Sequence, residues 1–165
     1  MIKVGDRLPE GAVKEFIEIE TPGCQLGPNE FKVQDLAKGK KIVIFGLPGA
    51  FTPTCSAKHV PGYLEHFGQF KGKGVDEIWC LSVNDAWVMG AWGRDQKAVG
   101  KIRFMADGAG VYTKALGMDR EIPGMGLRSQ RYSLLVDDGV VKSVNLEAPG
   151  KFEVSDAMTM LKALG

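Results

Sequence analysis

A threonine and a cysteine three residues apart, Thr52 and Cys55, stand in the segment Gly46-Leu47-Pro48-Gly49-Ala50-Phe51-Thr52-Pro53-Thr54-Cys55-Ser56. An apolar run ends there, a Gly/Pro loop follows, and the cysteine opens a helical pattern. A helix N-terminus presents unpaired N–H groups and the positive end of the helix dipole. A thiol placed there ionises more readily, and the thiolate is the reactive form. A C-x-x-C pair makes and breaks its own disulfide. A T-x-x-C pair keeps one nucleophile and sets beside it a hydroxyl that both donates and accepts hydrogen bonds. That arrangement suits a polar electrophile that must be oriented, such as a peroxide, and cleavage of an O–O bond leaves a sulfenic acid on the cysteine. Taken singly, these residues have plainer readings. Cys55 could be a half-buried structural thiol, Thr52 a helix cap, and Pro48 and Pro53 turn residues.

The rest of the composition narrows the chemistry. The chain has 165 residues, 21 basic against 20 acidic, and three cysteines, Cys24, Cys55 and Cys80. That length suits one domain over 1–165. The balanced charge gives no footprint for nucleic acid. There is no C-x-x-C and no Cys/His cluster with zinc spacing, so neither a disulfide scaffold nor a metal site is expected, and nothing calls for a cofactor. The longest apolar stretch, Ile42 to Phe51, is too short for a membrane span, which needs about 20 residues. The opening MIKVGDRLPEGAVKEF lacks the apolar core of a signal peptide. The expected compartment is a reducing cytoplasm, with no membrane partner. Cys80 lies in the apolar run Glu77-IWCLSV and reads at least as well as a buried small hydrophobe as a functional thiol. Cys24, in a Pro-Gly turn, reads as incidental.

The elements that must position Cys55 follow from periodicity. Continuous apolar runs at Lys41-IVIFG, Glu77-IWCLSV and Ile102-RFMAD predict strands buried on both faces. Tyr132 to Glu147 reads as two strands joined at Asp137-Asp138-Gly139. Helical patterns fall at Cys55–Lys71, with a break or kink expected at Pro61, at Asp85–Val99 with Asp85 as cap, at Val111–Met118, and at Ser155–Leu164 with Ser155 as cap. Ala12 to Glu20 alternates, and TPGCQLGPNE after it is rich in turn residues. The alternation predicts an α/β fold, with a mixed central sheet flanked by helices.

Pro48-GAFTPTCS resembles the active-site signature of peroxiredoxins, and Lys58-HVPG after it is similar to the type-II, or peroxiredoxin 5, branch. The likeness continues through Glu77-IWCLSVNDAWVMGAW and Gly126-LRSQRYSLLVDDG. It implies a thioredoxin-like fold and a thiol peroxidase acting on hydrogen peroxide or alkyl hydroperoxides. Cys55 would be the peroxidatic cysteine, Thr52 would hydrogen-bond the peroxide, and Pro48 would shield the site from water. Arg131 would support the thiolate and the charge developing on the peroxide; Arg128 is the rival. Cys80 is placed as the resolving cysteine is in plant-type and many bacterial members. The animal-type resolving cysteine would fall near position 155, where this chain has serine. The resemblance implies reduction by glutathione with glutaredoxin or by thioredoxin. It also implies a homodimer, with the Trp87–Trp92 region and the Glu121–Leu127 loop as candidate contacts. His59 either lines the pocket or packs as an ordinary helical histidine.

Overall fold

A computed structural model describes all residues, 1–165. Nine strands alternate with short helices: β1 Ala12–Ile17, β2 Gly27–Lys32, α1 Val33–Ala37, β3 Lys41–Gly46, a π-helical turn Cys55–His59, α2 Val60–Glu65, α3 Phe67–Gly72, β4 Glu77–Ser82, α4 Ala86–Asp95, β5 Ile102–Ala106, α5 Val111–Leu116, β6 Asp119–Ile122, β7 Gly126–Ser129, β8 Tyr132–Asp137, β9 Val140–Leu146 and α6 Ala157–Leu164. Seven strands form one sheet in the order β2-β1-β5-β4-β3-β8-β9; β6 and β7 form a separate hairpin. The β3–β4 and β4–β5 pairs are parallel, and β8 joins β3 antiparallel. This is the mixed sheet expected, in a thioredoxin-like arrangement.

The apolar strands read as continuous because each face of the sheet has its own core. Val43 and Phe45 face a cluster with Tyr63, Met89, Trp92 and Met160. Ile42 and Ile44 face the opposite cluster, with Val33, Tyr112 and Leu116. The Asp138-Gly139 turn has both residues at positive φ, 48° and 79°. That backbone matches the twist of the β8–β9 hairpin, and an Asp-Gly pair takes it at low cost.

Several boundaries differ from expectation. The predicted helix over Cys55–Lys71 is broken twice. Pro61 has no N–H to donate, and its ring opposes the carbonyl one turn back. The chain enters it through the wide turn at Cys55–His59, closed by the Val60 N–H on the Cys55 carbonyl. A second break, at His66 (φ −96°, ψ 12°), separates α2 from α3. The first turn of α6 is capped by Asp156, which accepts from the Thr159 N–H at 3.2 Å; Ser155 is not the cap. Helix α5 stops at Leu116, because Gly117 turns left-handed at φ 74°, and α4 stops at Asp95, before Lys97 at φ 56°. The end of the turn-rich TPGCQLGPNE stretch is strand: Gly27 to Lys32 pairs with β1.

Candidate active site

Strand β3 delivers the chain to the site. A Cβ on its last residue, Gly46, would lie 2.1 Å from the ring of Tyr132 on β8, so only glycine lets that ring cross the strand end. The loop that follows is held by its own polar groups. Asn84, just past β4, accepts through Oδ1 from the Ala50 N–H at 3.0 Å and from the Ser82 hydroxyl at 2.7 Å. The Thr52 hydroxyl donates to the Gly49 carbonyl at 2.7 Å. Phe51 sits at φ 64°, an uncommon conformation for a bulky residue.

Helical backbone begins at Pro53 and carries Cys55 in its first turn. The thiol has no exposed surface. Arg131, immediately before β8, donates through Nη2 to the Cys55 Sγ at 3.1 Å and through Nη1 to the His59 Nδ1 at 2.9 Å. Its guanidinium lies 5.9 Å from the Phe152 ring centroid. Arg128 does not reach the sulfur: its Nε donates to the Met125 carbonyl at 3.2 Å and its Nη1 to the Pro48 carbonyl at 3.5 Å, so it braces the loop instead. The structure thus brings Arg131 onto Cys55 and places Pro48 and Arg131 on one cavity wall, while Thr52 sits one turn before Cys55 with its hydroxyl on the Gly49 carbonyl. A cavity of about 320 Å³ opens beside them, with Pro48, Thr54 and Arg131 in its wall and Lys58, Arg120 and Lys151 around it. A larger cavity of about 490 Å³, with Cys24 on its wall, contains none of these four residues.

Cys80 lies in the middle of β4, opposite Phe45 on β3 and Phe104 on β5. It belongs to the same core cluster as Cys55, and both thiols are free. Burial, with the neighbouring Cys55 second, pushes the Cys80 thiol well above its ordinary range. Trp92 is fully buried and donates from its indole to the Ser56 hydroxyl at 3.0 Å. It is therefore core beside the active cysteine and cannot contribute to an outer face. Trp87, at 63% exposure, can.

The sequence left His59 open, read Ser155 as a helix cap, and did not single out Tyr63 or Glu147. His59 is fully buried, with its Nε2 3.1 Å from the Ser155 carbonyl. The Tyr63 hydroxyl donates to that same carbonyl at 2.8 Å. Glu147, at the end of β9, accepts from the N–H groups of Glu153, Val154 and Ser155 and from the Ser155 hydroxyl. Burial raises the Glu147 carboxyl, but those donors outweigh it and hold it below its ordinary value. Asn84 had one available signal: a polar residue at the carboxyl end of a buried strand, where α/β sheets place their sites. Glu147 had none, and the cap signal at Ser155 did not point to His59, which meets its carbonyl from a helix 96 residues earlier.

Similarity to known proteins agrees with this geometry. The redoxin family matches residues 3–161. Peroxiredoxin-2B of Arabidopsis thaliana is 48% identical over 165 residues, covering 99% of this chain and 98% of that protein. Reduced Prx3 of Vibrio vulnificus in complex with hydrogen peroxide has a TM-score of 0.92 and 47% identity, with 100% of both chains covered. A Burkholderia cenocepacia structure, provisionally named a thioredoxin reductase, has a TM-score of 0.98 and 59% identity, covering 100% of this chain and 99% of that one. That name does not fit the present residues, because disulfide exchange of that kind works through a thiol pair and this chain has Thr52 where a C-x-x-C would have its first cysteine. With a buried strand ending in a stiff T-x-x-C turn, a guanidinium on the cysteine sulfur and these matches along the whole chain, the chain belongs to the peroxiredoxins, thiol peroxidases of the redoxin family, in their type-II branch.

Proposed function

We propose that Cys55 is the peroxidatic nucleophile and that hydrogen peroxide and small alkyl hydroperoxides are its substrates. The observation that carries this is the 3.1 Å contact from the Arg131 guanidinium to the Cys55 sulfur. An arginine stays charged and offers several donors in one plane. It therefore reaches the thiolate and, in the transition state, the oxygens on which charge develops. Thr52 plays the complementary part. Its one hydroxyl proton is engaged by the Gly49 carbonyl, so toward the peroxide it acts as an acceptor and receives the peroxide O–H. Pro48 contributes an apolar wall with no N–H. The thiolate attacks one peroxide oxygen, an S–O bond forms, and the O–O bond breaks. The departing hydroxide or alkoxide takes up a proton, leaving water or alcohol and Cys55 as sulfenic acid.

A thiol then returns Cys55 to its reduced form. Glutathione with glutaredoxin, or thioredoxin, is the proposed reductant. The position of Cys80 favours an external thiol: it is held between two strands, and a disulfide needs a Cα separation below about 7 Å with aligned Cβ vectors. A Cys55–Cys80 disulfide is the second reading, supported by their shared core cluster. The three unpaired thiols support a reducing compartment such as the cytoplasm. We further propose a homodimer whose contact includes the exposed Trp87.

The test is steady peroxide consumption with each reductant supplied in turn. Cys55→Ser is expected to abolish it; retention of activity would overturn the assignment. Treating the reduced protein with one equivalent of peroxide and mapping the product separates the two cycles. A glutathione adduct at Cys55, unchanged by Cys80→Ser, supports the external thiol; a Cys55–Cys80 disulfide supports the internal one.

A further inference from the structure

Four consecutive polar contacts connect the far end of the chain to the reacting sulfur. Glu147 holds Ser155 by its N–H and its hydroxyl, both at Oε2 (2.8 and 2.7 Å). The Ser155 carbonyl faces the His59 Nε2 at 3.1 Å, the His59 Nδ1 faces the Arg131 Nη1 at 2.9 Å, and the Arg131 Nη2 faces the Cys55 Sγ at 3.1 Å. The histidine in the middle has only one protonation state that fits. A carbonyl oxygen only accepts and a guanidinium only donates. The Nε2–H tautomer therefore satisfies both neighbours. The Nδ1–H tautomer would set donor against donor and acceptor against acceptor, and the doubly protonated ring would set two cations together. Burial, with the Arg131 cation second, lowers the His59 pKa to about 3, against weaker opposing effects of the Ser155 carbonyl, Glu147 and Asp156.

Within the thiol-peroxidase reading above, on which the inference rests, we infer that His59 is a positioning residue: its Nδ1, fixed as an acceptor by the Ser155 carbonyl, aims the Arg131 guanidinium at the Cys55 sulfur. Arginine has several rotatable bonds, and the cavity beside it leaves room for other orientations. A buried acceptor opposite Nη1 selects the one in which Nη2 points at sulfur. The ring also packs against Phe45 and Phe152, with centroids 4.8 and 5.0 Å away, so its own position is determined by more than its hydrogen bonds.

Three substitutions separate packing from the acceptor. His59→Phe keeps an aromatic ring and deletes both nitrogens. His59→Asn keeps an acceptor near the Nδ1 position and loses the reach to Ser155. His59→Gln keeps a group near Nε2 and loses the acceptor facing Arg131. The measurement is the single-turnover rate of Cys55 oxidation by hydrogen peroxide, read by quenching and mass mapping, with Tm measured for each variant. His59→Phe and His59→Gln are expected to be slower by about ten- to a hundredfold, the size of one charge-assisted hydrogen bond. His59→Asn is expected to recover most of that rate. Wild-type speed in His59→Phe would overturn the inference. So would equal slowing of His59→Asn and His59→Gln, which would make the role one of packing alone; if His59→Phe does not fold, the Asn and Gln pair decides. A wild-type protein whose Cys55 resists stoichiometric peroxide would overturn the peroxidase reading together with this one. Normal Cys55 oxidation alongside a fast His59→Phe removes this one only.

Discussion

Thr52 and His59 each give their one proton to a backbone carbonyl, Gly49 and Ser155, so toward any other neighbour each can only accept. Thr52→Ser should retain peroxide turnover, whereas Thr52→Val, of similar shape without the hydroxyl, should lose about a hundredfold in rate, as removal of one oriented polar group near a developing charge does elsewhere. Stopped-flow oxidation of both variants checks this. For His59 the consequence is a dependence of stability on pH. Its folded pKa of about 3 lies below the ordinary 6.5, so between those values the unfolded chain binds a proton that the folded chain refuses. Stability is therefore fully present above pH 6.5 and falls as the pH drops toward 3, by at most about 1.4 kcal/mol per pH unit from this residue. Denaturant midpoints at pH 7 and pH 5 should differ for the wild type, and His59→Phe should reduce that difference.

Helix α6 and the loop before it show how an element is anchored at adjacent residues for different reasons. Asp156 accepts from the Thr159 N–H and hydroxyl, while Ser155 turns inward to Glu147. Asp156→Ala should cost about 1 kcal/mol, the usual loss for a helix cap, and leave peroxide turnover close to normal. Thermal unfolding with a parallel activity assay measures both. A Ser–Asp pair ahead of an apolar stripe is legible as a helix start; which of the two caps it is not. That choice depends on Glu147 arriving from the end of β9 to claim the serine, a contact eight residues away in sequence and across a turn. The break at His66 is similar. The apolar spacing through Val60, Leu64, Phe67 and Phe70 fits one helix, and the break at His66, between Leu64 and Phe67, leaves no mark in that spacing.

Across the whole molecule, the two cores leave several large apolar side chains uncovered, and Trp87, at 63% exposure, is the bulkiest of them. Trp87 lies on α4, five residues before the buried Trp92 that contacts Ser56 beside Cys55. If the proposed dimer uses this face, Trp87→Glu should yield a monomer by sedimentation with an unchanged fold, because the side chain has no role in either core. A dimer persisting at micromolar concentration would move the interface elsewhere.

The sequence by itself determined what is local. Thr52 and Cys55 are three residues apart at the start of a helix, so their proximity needs nothing but the turn between Pro48 and Pro53. The apolar strands and the Asp138-Gly139 turn are equally self-contained, since burial on both faces and a positive-φ turn each leave a mark within a few residues. The tertiary structure decided what depends on groups far apart in the chain. Arg128 and Arg131 differ by three residues and share a charge, and only the pairing of β8 with β3 puts Arg131 on the sulfur while Arg128 meets the Met125 carbonyl. His59 became an acceptor rather than a surface cation because the Ser155 carbonyl, 96 residues later, takes its one proton. A side chain with two possible protonation sites is assigned its chemistry by the neighbours that folding brings to it.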